Sequence, residues 1–535
     1  MTRHGSFRTR HVSTLVLPAL VIAAAACGPK AAPVTTPRPA TAAAAPAPAP
    51  AAKPVEAERV VPPLPAPRTP VETLRSTFDA IFKAPAFDRL EWAVLIESLS
   101  TGETLYSENP VKLMMPASNM KIVTLAAAAE RLGWDFTYQT RLVTSARIAG
   151  GVLQGDLVVV GSGDPTIGSR GGRSTRVFEE WADALRAGGI TAIKGRIVAD
   201  ARAFDRESLG AGWAWDYLAS SYAAGVSALQ FNESVAEVTI RPGASAGAPA
   251  VIGVRPIESG LMLDKQVTTS AGGEADIELA RLPGSSRLVV GGSIPAGSGE
   301  IVHEATVDRP ALYFARMLRS TLVSKGIRVG GIAAEYEDAY PSPPAEATTV
   351  LLTHRSEALP EIARVQMKVS QNQYAETLLR TLGAQTGVGT ASAGHKVVRE
   401  VLDGWGVPGD AYVLADGSGL SRYNYLCADT LVRILAHVYR DQRLRDPFVA
   451  SLPVGGQDGT IAKRFIGTRA AGNVHAKTGS IANVRALSGY VTSLDGETFV
   501  FSILANHFNL PQSEIDAATD RAVVALAEFS RSPQR

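Results

Sequence analysis

Pro116-Ala117-Ser118-Asn119-Met120-Lys121-Ile122-Val123-Thr124-Leu125-Ala126-Ala127-Ala128-Ala129 contains the one Ser-x-x-Lys of the chain. Good helix formers and apolar residues follow Ser118, and Pro116 suits a helix entrance, so the stretch predicts a buried helix. Three residues apart on a helix, a hydroxyl and an ammonium share one face, with Cβ atoms about 5–6 Å apart. A lysine so placed can lose its charge and take the serine's proton. The positive end of the helix dipole favours negative charge developing at Ser118. By itself the pattern equally fits an exposed first-turn serine beside a solvated lysine, so the rest of the chain decides.

Two more elements follow in order. Ser370-Gln371-Asn372 puts a hydroxyl and an amide two residues apart, between segments that read as helices, Leu359–Lys368 and Tyr374–Leu382. The serine can relay a proton and the asparagine can hydrogen-bond a substrate amide. Ser107-Glu108-Asn109 has the same pattern, but falls on a hairpin strand before the nucleophile helix. Further on comes Lys477-Thr478-Gly479-Ser480. An edge strand there would pair with an extended peptide, and Gly479 would allow close approach. Lys477 and Thr478 can bind a terminal carboxylate, and a cation at Lys477 is expected to lower the pKa of Lys121.

Around these motifs the folded region starts near Pro70. Trp92–Ile96, a Ser100-Thr101-Gly102 turn and Thr104–Tyr106 read as a hairpin. Leu487–Ser493 and Thr498–Asn506 flank an Asp495-Gly496 turn as a second hairpin, and Ile515–Phe529 as a final helix. Between them, Leu157–Val160, Arg196–Ala199, Ala236–Ile240 and Arg287–Val290 read as strands, and Val307–Lys325 as a helix leading back. The Gly161–Pro165 loop lacks the lysine and glycine spacing of a phosphate loop and reads as a structural turn. The fold class expected is α/β (α+β): an antiparallel sheet with helices, interrupted by a large, mostly-β insertion of one or two lobes. The expected boundaries are 70–145 and 345–535 for the catalytic part and 146–344 for the insertion.

The chain has 535 residues, a net charge of +2 and 19% charged residues, a balance that gives no reason to expect a nucleic-acid partner. Residues 1–27 read as an export signal: Arg3, Arg8 and Arg10, then an apolar stretch from Val12 to Ala26, too short for a membrane span. It ends Ala24-Ala25-Ala26-Cys27-Gly28, which resembles a bacterial lipoprotein signal with Cys27 as the lipidation site. An ordinary signal peptide with an incidental cysteine fits as well. Residues 28–69 are rich in alanine and proline, as in an extended spacer. The second of the two cysteines, Cys427, sits in an apolar run and reads as a small buried hydrophobe. The eight histidines show no metal-ligand spacing, so no metal or organic cofactor is expected.

The three motifs in this order resemble the serine penicillin-recognising enzymes, with their S-x-x-K, S-x-N and K-T-G signatures. The long insertion narrows the resemblance to the D-alanyl-D-alanine carboxypeptidase/endopeptidase family, the class C low-molecular-mass penicillin-binding proteins of peptidase family S13. Gly155-Asp156-Leu157 leading to Gly163-Asp164-Pro165, Gly212-Trp213-Ala214-Trp215, Asp416-Gly417-Ser418-Gly419-Leu420-Ser421, and Leu452-Pro453 with Gly459-Thr460 are similar to that family. The resemblance covers about residue 75 to the C-terminus and implies a serine β-lactamase/transpeptidase-like domain. It implies Ser118 as nucleophile, Lys121 as base, Ser370 as proton relay, Asn372 as acyl-chain ligand and Lys477 with Thr478, Gly479 and Ser480 at the carboxylate of the departing D-alanine. Asp216 and Tyr222 would meet the amino end of the stem peptide's diamino acid, and Arg422 the peptide. Asp416 would fix its own turn. The implied partners are peptidoglycan peptides ending in D-Ala-D-Ala, β-lactams as covalent inhibitors, and a membrane reached through a lipid anchor, in the periplasm. Carboxypeptidase and endopeptidase action both break a bond after a D-alanine and fit the same motifs. A β-lactamase or serine esterase on the same plan, or a non-catalytic wall-binding scaffold, are the competing readings.

Overall fold

The computed structural model describes residues 69–168, 174–342 and 348–532. Cys27 and nearly all of the Ala/Pro-rich segment lie outside them. The described chain opens with a capped helix, Pro70–Phe82: Thr69 Oγ1 accepts from Glu72 N at 3.2 Å and Glu72 Oε2 accepts from Thr69 N at 2.7 Å. This reciprocal cap satisfies donors that a helix start leaves open. Among the described residues, no helix is long and apolar enough to cross a membrane.

A five-stranded antiparallel sheet follows from the two hairpins. Its order is Thr104–Glu108, Glu91–Ser98, Thr498–Asn506, Val484–Thr492, His475–Ile481. The C-terminal hairpin turns at Gly496, whose φ of +80° suits the Asp-Gly signal. Side chains alternate between the two faces, as a pleated strand requires. Ala93, Leu95, Ala486, Tyr490, Val500 and Leu504 join the core beneath helices Met120–Leu132, Leu359–Lys368, Asn372–Ala384, Ala391–Gly404, Ala428–Arg440 and Gln442–Ser451. Trp92, Val94, Ile96, Leu487, Phe501 and Ile503 face the other way, onto Pro70–Phe82 and Gln512–Glu528. Both faces are therefore dry, which is why these strands read as near-continuous apolar runs. Each large side chain buried this way contributes about 1.5–3 kcal/mol.

A separate core gathers residues between Leu142 and Ile327. Strands Gln139–Thr144 and Thr349–Arg355, where the chain leaves and returns, pair antiparallel from Gln139↔Arg355 to Thr144↔Thr349. They sit in a five-stranded sheet with Leu157–Val160, Ile197–Asp200 and Ala333–Glu335. A small four-stranded sheet of Arg328–Val329, Ala192–Ile193, Val152–Leu153 and Ile148–Ala149, and two three-stranded sheets around Val235–Arg241 and Arg287–Pro295, also belong to this region. Helix Pro310–Ser324 lies where the apolar run predicts it. Helix Arg176–Ala187 was not expected from the sequence. Its buried Phe178, Trp181, Ala182 and Leu185 recur at helical spacing, a signal that competes with the β-like runs on either side. Helices Ala428–Arg440 and Gln442–Ser451 were also not anticipated; Pro447 inside the second obscures its pattern.

Candidate active site

Ser118 lies in a short 3₁₀ turn, Ala117–Asn119, that runs into the helix Met120–Leu132. Ala117 holds φ +44°, a left-handed conformation that L-residues rarely adopt. The turn presents Ser118 half-buried at the helix entrance while Lys121 points inward and is fully buried. Lys121 Nζ is 2.9 Å from Ser118 Oγ, 2.5 Å from Asn372 Oδ1 and 2.7 Å from the Ser418 carbonyl oxygen. Asn372 Nδ2 donates to the Tyr222 carbonyl at 2.7 Å, so its oxygen faces the lysine.

Burial pushes Lys121 down to about 7, against the opposing pull of Asp416 and Glu376. A neutral lysine amine has two N–H bonds and one lone pair. Asn372 Oδ1 and Ser418 O can only accept, so they take both N–H groups. The lone pair then faces Ser118 Oγ, as a base for that hydroxyl requires. Burial, which the sequence expectation did not include, is the largest cause at Lys121. Lys477 is itself depressed by burial first and by Lys121 second, and the repulsion between the two amines is mutual.

Ser370 has φ +62° in the link between helices Leu359–Lys368 and Asn372–Ala384. Its Oγ accepts from Lys477 Nζ at 2.9 Å, and the same amine donates to the Thr478 carbonyl at 2.9 Å. Ser107 stays exposed on strand Thr104–Glu108. Lys477, Thr478, Gly479 and Ser480 form the free edge of the sheet. Asn119 Nδ2 donates to the Lys477 carbonyl at 3.0 Å and ties this edge to the turn that carries Ser118. A Cβ at position 479 would lie 2.6 Å from the Pro116 carbonyl oxygen, so only glycine lets strand and turn approach this closely. Thr478 Oγ1 lies 2.7 Å from Thr460 Oγ1.

The model for the D-Ala-D-Ala carboxypeptidase 3 (S13) family matches residues 74–528. The chain belongs to the S13 family. It is therefore a serine-type hydrolase of the D-Ala-D-Ala carboxypeptidase class, as the resemblance of its motifs implied. It is 37% identical over 477 residues to a D-alanyl-D-alanine carboxypeptidase of Actinomadura sp., covering 85% of each chain. It is 26% identical over 445 residues to D-alanyl-D-alanine carboxypeptidase DacB of Haemophilus influenzae, covering 82% of this chain and 89% of that one. In fold it is similar to penicillin binding protein 4 (dacB) from Haemophilus influenzae, with a TM-score of 0.74 at 23% identity over 86% of this chain and 99% of that one.

In this S13 chain the residues expected to meet the substrate are less tightly gathered than the three motifs. Tyr222 comes to Asn372 through its backbone carbonyl, and its half-exposed ring packs on Tyr217 with centroids 5.7 Å apart. Asp216 is exposed on the short turn Trp215–Tyr217. Arg422 donates to the Ala482 carbonyl at 2.8 Å, just past the edge strand. Ser480 Oγ contacts Arg485 on the neighbouring strand. Asp416 holds its turn as expected: its carboxylate accepts from Gly419 N and Ser421 N at 2.7 Å each, and from Trp213 Nε1 at 2.9 Å. Cys427 is buried with its thiol on the Val111 carbonyl at 2.9 Å, and burial raises its pKa to about 11. Sequence reasoning missed two groups in this site: the Ser418 carbonyl on Lys121, and Glu376, whose carboxylate holds the Gly417–Ser418 peptide. A backbone carbonyl has no sequence signature, and Glu376 lies far from Lys121 in sequence.

Proposed function

We propose that this S13 enzyme is a D-alanyl-D-alanine carboxypeptidase of the cell envelope that processes peptidoglycan stem peptides through an acyl-enzyme on Ser118. One observation carries the proposal: Lys121 is fully buried between two carbonyl acceptors, with its remaining position on Ser118 Oγ. Ser118 Oγ attacks the carbonyl between the terminal D-alanines as its proton passes to Lys121. Backbone N–H groups of Ser118 and Ser480 receive the oxyanion, at about 3–4 kcal/mol per donor in the transition state. The C–N bond then breaks. Ser370, held by Lys477, delivers a proton to the leaving amine and is resupplied by Lys121. Lys477, Thr478 and Ser480 hold the carboxylate of the departing D-alanine, with Gly479 keeping the strand close, and Asn372 orients the acyl chain. Water attacks the ester and frees Ser118. The same steps cut a cross-link between peptides, which makes the enzyme a D,D-endopeptidase as well.

Asp216, Tyr222 and Arg422 are assigned to the peptide stem, and Cys27 to a lipid anchor with residues 28–69 as spacer, in the periplasm. The separate cores support residues 70–145 and 345–535 as the catalytic part and 146–344 as the insertion. A fluorescent penicillin should label the full chain at Ser118, with the adduct persisting and absent in Ser118→Ala, as peptide mass spectrometry would read. A rapidly lost adduct with hydrolysed drug accumulating would make the protein a β-lactamase. No adduct on folded protein would overturn the assignment.

A further inference from the structure

Glu376 lies one turn after Asn372 on helix Asn372–Ala384, and Arg380 one turn further. Asn372 reaches Lys121, Glu376 reaches the loop Asp416–Ser421, and Arg380 reaches the Glu207 carbonyl. Glu376 is 1% exposed and does not touch Ser118. Its Oε1 accepts from both Gly417 N at 2.9 Å and Ser418 N at 2.8 Å. Thr124, one turn after Lys121, donates to the Gly417 carbonyl at 2.7 Å. The two peptides are therefore gripped from both sides: N–H groups on Glu376, carbonyls on the nucleophile helix. The Ser418 carbonyl held in this way is the one that accepts a hydrogen bond from Lys121 Nζ. Among the described residues, Glu376 Oε2 accepts no hydrogen bond and lies 3.6 Å from Arg380 Nη1.

We infer that Glu376 is the positioning residue for Lys121, fixing through the Gly417 and Ser418 N–H groups the carbonyl that orients the amine's lone pair toward Ser118. This rests on Lys121 being the base. A buried carboxylate with a purely structural role would grip the loop but leave the titration of Lys121 alone. Here the charge of Glu376, after that of Asp416, raises the affinity of Lys121 for a proton against the effect of burial. Burial, and then Asp416, push Glu376 itself up to about 7, against Arg380 and the two N–H groups. Burial thus shifts Lys121 down and Glu376 up, toward the neutral form of each. Asp416 is the other anion acting on Lys121 and is unchanged in every variant compared below. Arg380 pairs with Asp205 at 3.7 Å on the insertion side. His395, near Asp416 and Arg380, is held neutral there because burial pushes it to about 4. Lys477 lies on the far side of Lys121, toward Ser370.

The test is the pH dependence of Ser118 acylation by a fluorescent penicillin in the full chain, for wild type, Glu376→Gln, Glu376→Asp and Glu376→Ala. Glutamine keeps an acceptor for the two N–H groups but removes the charge, so Lys121 loses its proton more readily. The acidic limb of E376Q is expected to move to lower pH by about half a unit or more. E376D keeps the charge and should keep the wild-type limb at a reduced rate. E376A loses the grip and should be slowed at every pH by about tenfold or more. Coincident limbs for E376Q and wild type, both folded and both labelled at Ser118, would overturn the inference; so would an E376D limb displaced as far as that of E376Q. Absence of a Ser118 adduct in wild type would instead overturn the underlying assignment. Should E376Q not fold, an NMR titration of the Lys121 ε-carbon in wild type decides. A two-step curve supports a partner titrating in the same range, and a single step overturns it.

Discussion

Lys121→Met slows the acylation of Ser118 by a penicillin by about 10²–10⁴-fold, the range expected when a positioned base is removed. The substitution keeps the length of the side chain and its burial, so the fold is retained. It leaves Asn372 Oδ1 and the Ser418 carbonyl without the N–H groups they accept, a stability cost of about 1–3 kcal/mol each, against which stands relief from burying an amine. In wild type, the acylation rate depends on the neutral fraction of Lys121. The pKa is depressed from 10.5 to about 7, so the base is competent above that pH and is lost as pH falls through it. The rate should therefore rise with pH and level off above about 7, and the residual rate of K121M should lack this limb. Stopped-flow labelling across pH measures both. A K121M rate within tenfold of wild type would place the base elsewhere. The size of the effect follows from how completely the site is dried: in water the same amine would be protonated at neutral pH and could not take a proton from Ser118.

Gly419→Ala is the second large effect, and it comes through the backbone. Gly419 has φ +85°, and a Cβ there would lie 1.8 Å from the Ala117 carbonyl oxygen and 3.0 Å from Met120 Cβ. The oxygen belongs to the backbone of Ala117, held at φ +44° in the turn that carries Ser118, so it cannot swing aside as a side chain would. The left-handed conformation costs about 1–2 kcal/mol for an L-residue, and the overlap forces the loop and the nucleophile turn apart. The expected loss of stability is about 3–5 kcal/mol, read as a lower melting temperature, together with a large drop in acylation. Gly496→Ala serves as comparison: φ is similar at +80° and a Cβ there meets nothing within 4 Å. Its cost should stay near the conformational term alone. Equal melting temperatures for the two variants would show that the contact at Ala117 is not rigid.

Local spacing made much of this molecule legible. Ser118 and Lys121 share a face because they are three residues apart at a helix entrance. Helix Leu359–Lys368 has the bounds that its apolar pattern predicts, and the Asp495-Gly496 turn sets the C-terminal hairpin. The order of the three motifs, with the long insertion after the first, is enough to point to the S13 family. These features are local: they depend on residues within one or two turns of each other. Where local signals competed, the sequence misled, as at helix Arg176–Ala187, whose buried stripe lies among strand-like runs. What the amine of Lys121 can do was not local. Its two carbonyl acceptors come from 251 and 297 residues away, and its pKa follows from burial by helices that meet only after folding. The grip of Glu376 on Gly417 and Ser418 uses backbone N–H groups, which every residue but proline possesses and no motif can mark. Residue types and their order thus determined which chemistry this chain carries. Tertiary packing alone decided the state in which Lys121 meets Ser118, because desolvation and carbonyl placement belong to the assembled site and not to any segment of it.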